Sequence, residues 1–319
     1  MSWNIALQIF LLIIGFAMLI KGADWFVDGA AGIADKLHIP QLIIGLTIVA
    51  MGTSAPEAAI SISASVHGSA DIAVGNVLGS NIINVLIILG LTSVITPLAV
   101  QKSTVKYELP FVILITAIFA LLGLFDNTVG FIDGILLWLL FIAYLSYLFI
   151  MTKKGKIQAE ETADEEENKK TKKTWQLILF GLIGIALVVF GSNITVNSAT
   201  EIAKAFGMSE RFIGLTIVAL GTSLPELVTS VTAAVKKKAD IAIGNIVGSN
   251  IFNILFVIGT SALITPVAYQ GDFLIDSIIC VAVSAILLLF VLNKDRQLKR
   301  WGGTIMLLCY AGYFVYLIR

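Results

Sequence analysis

The chain has 319 residues, of which 58% are hydrophobic and 13% are charged; its formal net charge is +0 at pH 7 and its mean hydropathy is +0.95. This composition is typical of a polytopic membrane protein. No polar stretch is long enough to fold as a separate soluble domain, and neither a nucleic-acid partner nor a protein partner is implied.

Ten apolar runs are each long enough to cross the hydrocarbon core, which takes about 20 helical residues. The predicted spans, in chain order, are residues 5–33, 39–66, 71–97, 107–125, 130–151, 175–203, 208–235, 240–266, 273–293 and 301–318. The fold class is therefore an all-α polytopic membrane protein. Its predicted domains are a first five-helix repeat at 1–151, a charged linker at 152–174 and a second five-helix repeat at 175–319.

An internal duplication relates the two groups of spans. Residues 44–99 match residues 213–268 without a gap, with 32 identities at an offset of 169 positions. Each copy crosses the membrane an odd number of times, so the second copy should enter from the opposite face. Secondary transporters are often built from such inverted-topology repeats.

Lysines and arginines predict the orientation, because they are in excess in short cytoplasmic loops. If the linker is cytoplasmic, that side receives seventeen of these residues, whereas the other side receives Lys204, Arg211 and Arg319. Both termini should then face outward. The linker has a charged composition that could form no core, so we expect a flexible cytoplasmic tether.

Each copy carries one glutamate inside an apolar span: Glu57 ends GTSAPE and Glu226 ends GTSLPE. An ionised acid in the middle of a span costs about 2.5–3.5 kcal/mol on insertion scales. Pairing with a cation, protonation or contact with water would offset this cost, and all three indicate ion handling. A proline-kinked packing helix would explain a single copy, whereas two copies at corresponding places favour a transport site.

Further oxygen ligands lie on the same helical faces as the glutamates. The hydroxyl residues that precede the glutamates by three and four positions are Thr53, Ser54, Thr222 and Ser223. Pro56 and Pro225 remove a backbone donor, so each helix should be kinked or broken there. Carbonyls freed near Ala50 and Ala219 could then coordinate a cation.

The next span of each copy has a polar stripe, because asparagine and serine recur every four positions. The stripe residues are Asn76, Ser80 and Asn84 in the first copy and Asn245, Ser249 and Asn253 in the second. Small-xxx-small glycine pairs beside them permit close helix contact, so packing alone explains part of the pattern. Asn81 and Asn250 point elsewhere on the helix, where we expect interhelical hydrogen bonds.

Pooled from both copies, these groups form an oxygen-only site for a hard cation. Calcium takes six to eight oxygens, whereas magnesium keeps its waters and zinc prefers nitrogen or sulfur. Calcium therefore fits best, although ligand type leaves manganese and cadmium open. Cys280 and Cys309 have no nearby histidine or CxxC spacing, so neither a metal-thiolate site nor a disulfide framework is predicted, and no cofactor is expected.

The doubled GTSxPE and GNxxGSN motifs resemble those of the cation/calcium exchanger superfamily, and the chain looks most like prokaryotic sodium/calcium exchangers. The resemblance implies a sodium-for-calcium antiporter that works by alternating access in the cytoplasmic membrane of a prokaryote. It also implies the ion ligands, which are Glu57, Glu226, Thr53, Ser54, Thr222, Ser223, Ser80, Ser249, Asn84, Asn253, Ala50 and Ala219. The glutamates would bind calcium at the centre, the two stripe serines would complete flanking sodium sites, and the alanines would contribute carbonyls.

Two departures from other relatives narrow the expectation. Some, including the potassium-dependent exchangers, have aspartate where this chain has Asn253, so two acids rather than three argue against potassium dependence. Proton-exchanging relatives usually carry an acidic, histidine-bearing variant of GNxxGSN. Sodium is therefore favoured, and three-for-one exchange would be electrogenic. A proton/calcium or other divalent cation exchanger is the alternative, a cation channel is less favoured, and no motif supports an enzyme.

Overall fold

The computed structural model describes residues 2–68, 70–153, 173–207, 219–269 and 271–317. These ranges are almost entirely helical, which confirms the all-helical part of the predicted fold class. Residues 154–172 of the predicted linker and residues 208–218 of the predicted seventh span lie outside the described residues.

Both halves have a similar order of helices and short strands. The first half contains α1 (Ser2–Lys36), α2 (Gln41–Ile44), α3 (Ala50–Thr53), α4 (Ala55–Val66), α5 (Asp71–Ile83), α6 (Gly90–Ile95), β1 (Leu98–Ala99), α7 (Leu109–Asp126), β2 (Thr128–Val129) and α8 (Phe131–Lys153). The second contains α9 (Thr174–Ala205), α10 (Ala219–Thr222), α11 (Leu224–Val235), α12 (Ala239–Phe252), α13 (Gly259–Ile264), β3 (Val267–Ala268), α14 (Gly271–Val291), β4 (Gln297–Leu298) and α15 (Arg300–Leu317). Wider π-helical turns join some of these, at Gly45–Val49, Asn84–Leu89, Thr104–Glu108 and Asn253–Ile258.

Seven helices of the described part are long and apolar enough to span a bilayer, and the bent pair Gln41–Thr53 with Ala55–Val66 makes up to eight. Part of the predicted seventh span is not described, and the helix at the tenth, Arg300–Leu317, is not among the seven. The count of ten therefore stays a prediction. The spans Asp71–Ile95 and Ala239–Ile264 are the most enclosed by protein, so the polar stripes lie in the interior rather than in lipid.

Two short antiparallel strand pairs join the halves. In the first pair, β1 lies beside β4 and Leu98 is opposite Leu298. In the second, β2 lies beside β3 and Val129 is opposite Val267. An offset of 169 positions converts one contact into the other with the partners exchanged. Such reciprocal contacts are characteristic of two copies packed about a two-fold axis.

The first helices of the two halves, α1 and α9, pack against each other more extensively than any other pair of described elements. Their backbones meet at glycines: Gly15 with Gly191, Gly22 with Gly184 and Gly29 with Gly181. Positions rise along α1 as they fall along α9, so these two helices run antiparallel. Glycine permits this approach because it has no Cβ to hold the backbones apart.

Gly184→Ala should destabilise this helix pair. A Cβ at position 184 would lie 2.5 Å from the backbone nitrogen of Phe26 and 2.8 Å from the carbonyl oxygen of Gly22. Neither backbone atom can rotate away, so we expect a loss of about 1–3 kcal/mol in the free energy of unfolding. Thermal unfolding in detergent measures it. Gly181→Ala is the matched control, because a Cβ there meets no atom of the described residues within 4 Å. Equal losses in both variants would contradict close packing as the cause.

Candidate cation site

The helix breaks predicted at the two prolines are present. Directly before α4, Ser54 has φ −82° and ψ 4°, and α4 bends by 52° from the preceding helix. Ser223 has φ −91° and ψ 6° directly before α11. Pro56 and Pro225 lie in the first turns of these helices, where a missing N–H breaks no helical hydrogen bond. Each GTSxPE motif therefore ends one short helix and begins the next.

The two glutamates lie in the first turns of α4 and α11, where the positive end of the helix dipole favours an anion. Both are buried, with 1% of Glu57 and 1% of Glu226 exposed. Ser54 donates its hydroxyl to Oε1 of Glu226 at 2.8 Å. A hydroxyl beside the first glutamate thus holds the second, which places the two carboxylates together at the interface between the halves.

One oxygen of each carboxylate has no hydrogen-bond partner among the described residues: Oε2 of Glu57 and Oε2 of Glu226. A buried acceptor without a partner carries its full desolvation cost, which is larger for charged groups. The hydroxyl of Ser223 is also buried with no hydrogen-bond partner in the part of the chain that the structure covers. A cation bound between the carboxylates would satisfy such oxygens.

The other predicted hydroxyls differ in their surroundings. Thr53 is buried and donates to Oδ1 of Asn245 at 2.9 Å, so it links the first half to α12. Thr222 ends α10 and is partly buried. Ser249 is buried and its hydroxyl points to the carbonyl of Ala50 at 3.5 Å. Ser80 is buried on α5, which packs against α10.

The carbonyl of Ala50 is not freed by the helix break, contrary to the expectation from sequence. It accepts the backbone N–H of Ser54 at 3.0 Å. The reason is positional, because Pro56 withholds an N–H from the carbonyl four residues earlier, which belongs to Gly52. The hydroxyls of Thr53 and Ser249 also lie 3.3 Å and 3.5 Å from this carbonyl oxygen, so a cation that binds it would replace one of these contacts. Ala219 is the first residue of α10.

The amide groups of Asn84 and Asn253 each bond to an asparagine of the other half. Asn84 donates Nδ2 to Oδ1 of Asn250 at 3.0 Å, and Asn253 donates Nδ2 to Oδ1 of Asn81 at 3.1 Å. Both are buried, and within the described ranges neither Oδ1 has a hydrogen-bond partner. Each begins a π-helical turn, a distortion that is frequent at functional sites. Two amide oxygens are thus left available to a ligand.

Asn81 and Asn250 form the cross-links predicted for them. Asn81 donates Nδ2 to the carbonyl of Asn250 at 3.2 Å, and Asn250 donates Nδ2 to the carbonyl of Asn81 at 3.4 Å. These reciprocal bonds confirm an interhelical role. They join the halves beside the two asparagines whose oxygens remain available.

Sequence reasoning missed a supporting layer beneath the glutamates. Asn76 donates Nδ2 to Oγ of Ser61 at 2.9 Å, and Asn245 donates Nδ2 to Oγ of Ser230 at 3.0 Å. Both amides also lie near the backbone carbonyl of a site glutamate, at 3.3 Å and 3.4 Å. The available signal was the duplication itself, because a serine follows each glutamate by four positions in both copies.

The assembled groups are carboxylate, hydroxyl, amide and carbonyl oxygens, the donors that hard cations prefer. Among the described residues, no group of three or more histidines, cysteines, aspartates or glutamates is placed to hold a metal ion. The site thus combines two charges with neutral oxygens. Such a set can bind one divalent ion as a neutral unit, or several monovalent ions.

Comparison with known proteins gives consistent matches over nearly the whole chain. The family model described as sodium/calcium exchanger protein matches residues 7–150 and 176–319. A putative antiporter, CaxA of Alkalimonas amylolytica, is 42% identical over 95% of this chain and 96% of its own, and the sodium/calcium exchanger MaX1 of Methanosarcina acetivorans is 32% identical over 98% and 99%. A structure of the sodium-calcium exchanger NCX_Mj, soaked with zero Na+ and Ca2+, superposes with a TM-score of 0.84 at 31% identity, covering 98% of this chain and 99% of that one.

Proposed function

This chain belongs to the sodium/calcium exchanger protein family and is an integral membrane cation/calcium antiporter, and we propose that it exchanges sodium for calcium by alternating access. The exchange is electrogenic and independent of potassium. One observation carries the proposal: two buried glutamates, one from each half, meet with an unpaired oxygen each. Two carboxylates neutralise one calcium ion.

The ligand roles follow the oxygen atoms that the site presents. Glu57 and Glu226 bind calcium at the centre and share sodium. Hydroxyls beside the helix breaks and on the stripe serve the central and flanking ions, together with the amide oxygens and two carbonyls; these come from Thr53, Ser54, Thr222, Ser223, Ser80, Ser249, Asn84, Asn253, Ala50 and Ala219. The unpaired Oδ1 atoms of both asparagines and the unpaired Ser223 hydroxyl support this assignment.

The proposed architecture is two inverted five-helix repeats, at 1–151 and 175–319, joined by a cytoplasmic linker at 152–174. Reciprocal strand pairs and asparagine pairs support a two-fold relation between the repeats. The antiparallel course of α1 and α9, which open the two repeats, supports the inversion. With the lysine-rich side inside, both termini face outward in the cytoplasmic membrane of a prokaryote.

Exchange rather than leak follows from the charge of the site. Two ionised glutamates in a low-dielectric interior resist enclosure when empty, whereas one calcium ion or several sodium ions neutralise them. Alternating access is then favoured only in loaded states. The alternative counter-ion is the proton, which would leave both glutamates neutral and make the exchange electrically silent. A channel would need no counter-ion at all.

Radioactive calcium uptake distinguishes these cases. Proteoliposomes loaded with sodium are diluted into sodium-free buffer that contains calcium, with the membrane voltage clamped by an ionophore. If three sodium ions leave for each calcium ion that enters, one net positive charge exits. An inside-positive potential should therefore accelerate uptake, and an inside-negative potential should slow it.

Parallel vesicles carry only a proton gradient or no gradient. Uptake that depends on protons and ignores voltage would replace sodium with the proton as counter-ion. Rapid uptake without any counter-ion gradient would contradict an antiporter mechanism. Replacing external choline with potassium should leave the initial rate unchanged, because two glutamates and one calcium ion already balance.

A further inference from the structure

A second acidic site lies away from the glutamate pair, between the start of the helix that leads into α7 and the side of α8. A cavity of about 400 Å³ opens there, lined mostly by apolar and aromatic side chains. Glu108 lies in it and is 1% exposed. The residue at the same offset in the second half is Ser277, so this carboxyl is not part of the duplicated site.

The polar groups buried in the wall of the cavity are only partly satisfied. Tyr147 donates its hydroxyl to Oε1 of Glu108 at 2.9 Å. Oε2 of Glu108 has no hydrogen-bond partner in the described part of the chain, and the same is true of the hydroxyl of Tyr144, a residue that is 5% exposed. A buried acid in a predicted membrane span that the proposed exchange does not use is a candidate for a separate functional role.

Aromatic rings line the same cavity as Glu108. The rings of Phe111 and Tyr144 stack with their centroids 5.4 Å apart, and the ring centroids of Tyr107 and Tyr147 are 6.1 Å apart. Aromatic faces beside a carboxylate form a favourable environment for an organic ammonium group. A strongly hydrated metal ion fits less well, because few oxygens are present.

The rim of the cavity carries the opposite charge. Lys106 is exposed and its Nζ lies 5.0 Å from the centre of the Tyr107 ring. Beyond the rim, the cavity is lined by exposed apolar residues of both helices, Leu114 on α7 and Ala143 on α8. Tyrosine and lysine together are typical of the level of lipid headgroups. The cavity thus presents a cation outside, an acid inside and an apolar wall towards the bilayer.

We propose that this cavity binds the headgroup of a phospholipid that carries a primary amine, as in phosphatidylethanolamine. The ammonium group binds the carboxylate of Glu108, whose side chain turns towards the cavity on binding, and the phosphate binds Lys106 at the rim. The order of charges in the headgroup matches the order in the cavity, and the acyl chains extend along the exposed apolar surface. Phosphatidylcholine keeps the phosphate but has no N–H to donate to the carboxylate.

Native mass spectrometry of the purified full chain tests the assignment. Phosphatidylethanolamine or phosphatidylcholine is added at equal concentrations, and the fraction of protein with one bound lipid is measured. A hydrogen bond to a charged group should give the amine lipid an affinity about ten-fold higher. Glu108→Gln should abolish that preference. Asp133→Asn, which removes an acid near the start of α8, is the matched control and should retain it.

Lys106→Ala is a second test that does not depend on the folding of Glu108→Gln. Lys106 is exposed, so we expect its alanine variant to fold. Lys106→Ala should lower the affinity for both lipids by a similar factor, because both lipids carry the phosphate. The proposal is overturned if the wild-type chain binds the two lipids equally, if Glu108→Gln keeps the preference, or if Lys106→Ala leaves both affinities unchanged. Displacement by dodecylamine at an equal concentration would assign the site to free long-chain amines instead of a phospholipid.

Discussion

Glu226→Gln and Glu57→Gln should each abolish sodium-driven calcium uptake while the protein still folds. Glutamine keeps the shape of the side chain, and at position 226 its oxygen can still accept the Ser54 hydroxyl. It removes one of two charges that face the calcium ion. Breaking a buried ion pair from one side costs about 3–5 kcal/mol, so the initial rate in proteoliposomes should fall at least about 100-fold.

Glu201→Gln is the matched control for this experiment. Glu201 is exposed on α9 and is paired only loosely, with Lys204 at 3.9 Å, so its loss removes an acid without touching the site. It should transport at the wild-type rate. Size-exclusion elution and the melting temperature establish that all variants fold alike. Wild-type exchange in either glutamine variant would remove that glutamate from the ion site.

The parts of the site that sequence could predict are those that depend on local rules. Proline removes a backbone donor and clashes with the preceding turn, so it kinks or breaks a helix by a local effect, and the structure has the break at Ser54 and at Ser223. The four-residue spacing of asparagines and serines defines a face without any knowledge of neighbours. The duplication repeats the helix break and the polar stripe at corresponding positions, and this repetition favoured a functional site over a single kinked helix.

The partners of those side chains depend on packing between the halves, which no local rule encodes. Ser54 was predicted beside Glu57 on its own helix, yet its hydroxyl bonds to Glu226. Thr53 similarly reaches Asn245 across the interface. Glu108 escaped notice because it occurs once and lies near the predicted start of a span, so neither repetition nor position distinguished it.

Asn253→Asp should make calcium exchange depend on an additional monovalent cation. Asn253 is 1% exposed, and its Nδ2 donates to Oδ1 of Asn81 at 3.1 Å. Aspartate loses that donor and adds a third negative charge, so a calcium-loaded site retains one uncompensated charge. A buried charge without a partner costs several kcal/mol, and uptake with external choline should fall at least about 100-fold. External potassium should restore part of the rate, because a bound potassium ion would balance the third negative charge.

Asn253→Ala separates the added charge from the loss of the amide, because it removes both the bond to Asn81 and the unpaired Oδ1 and adds no charge. The lost bond to Asn81 costs about 0.5–1.5 kcal/mol, which alone lowers uptake by up to about ten-fold. The lost ligand oxygen lowers it further, and potassium should have no effect. If Asn253→Asp transports at the wild-type rate without potassium, the net charge of the ion-loaded site does not control the conformational change that encloses the ions. If both variants fall equally and neither responds, the loss of the amide group, and not the added charge, slows transport. Only a potassium response confined to the aspartate variant supports two acids as the basis of potassium independence.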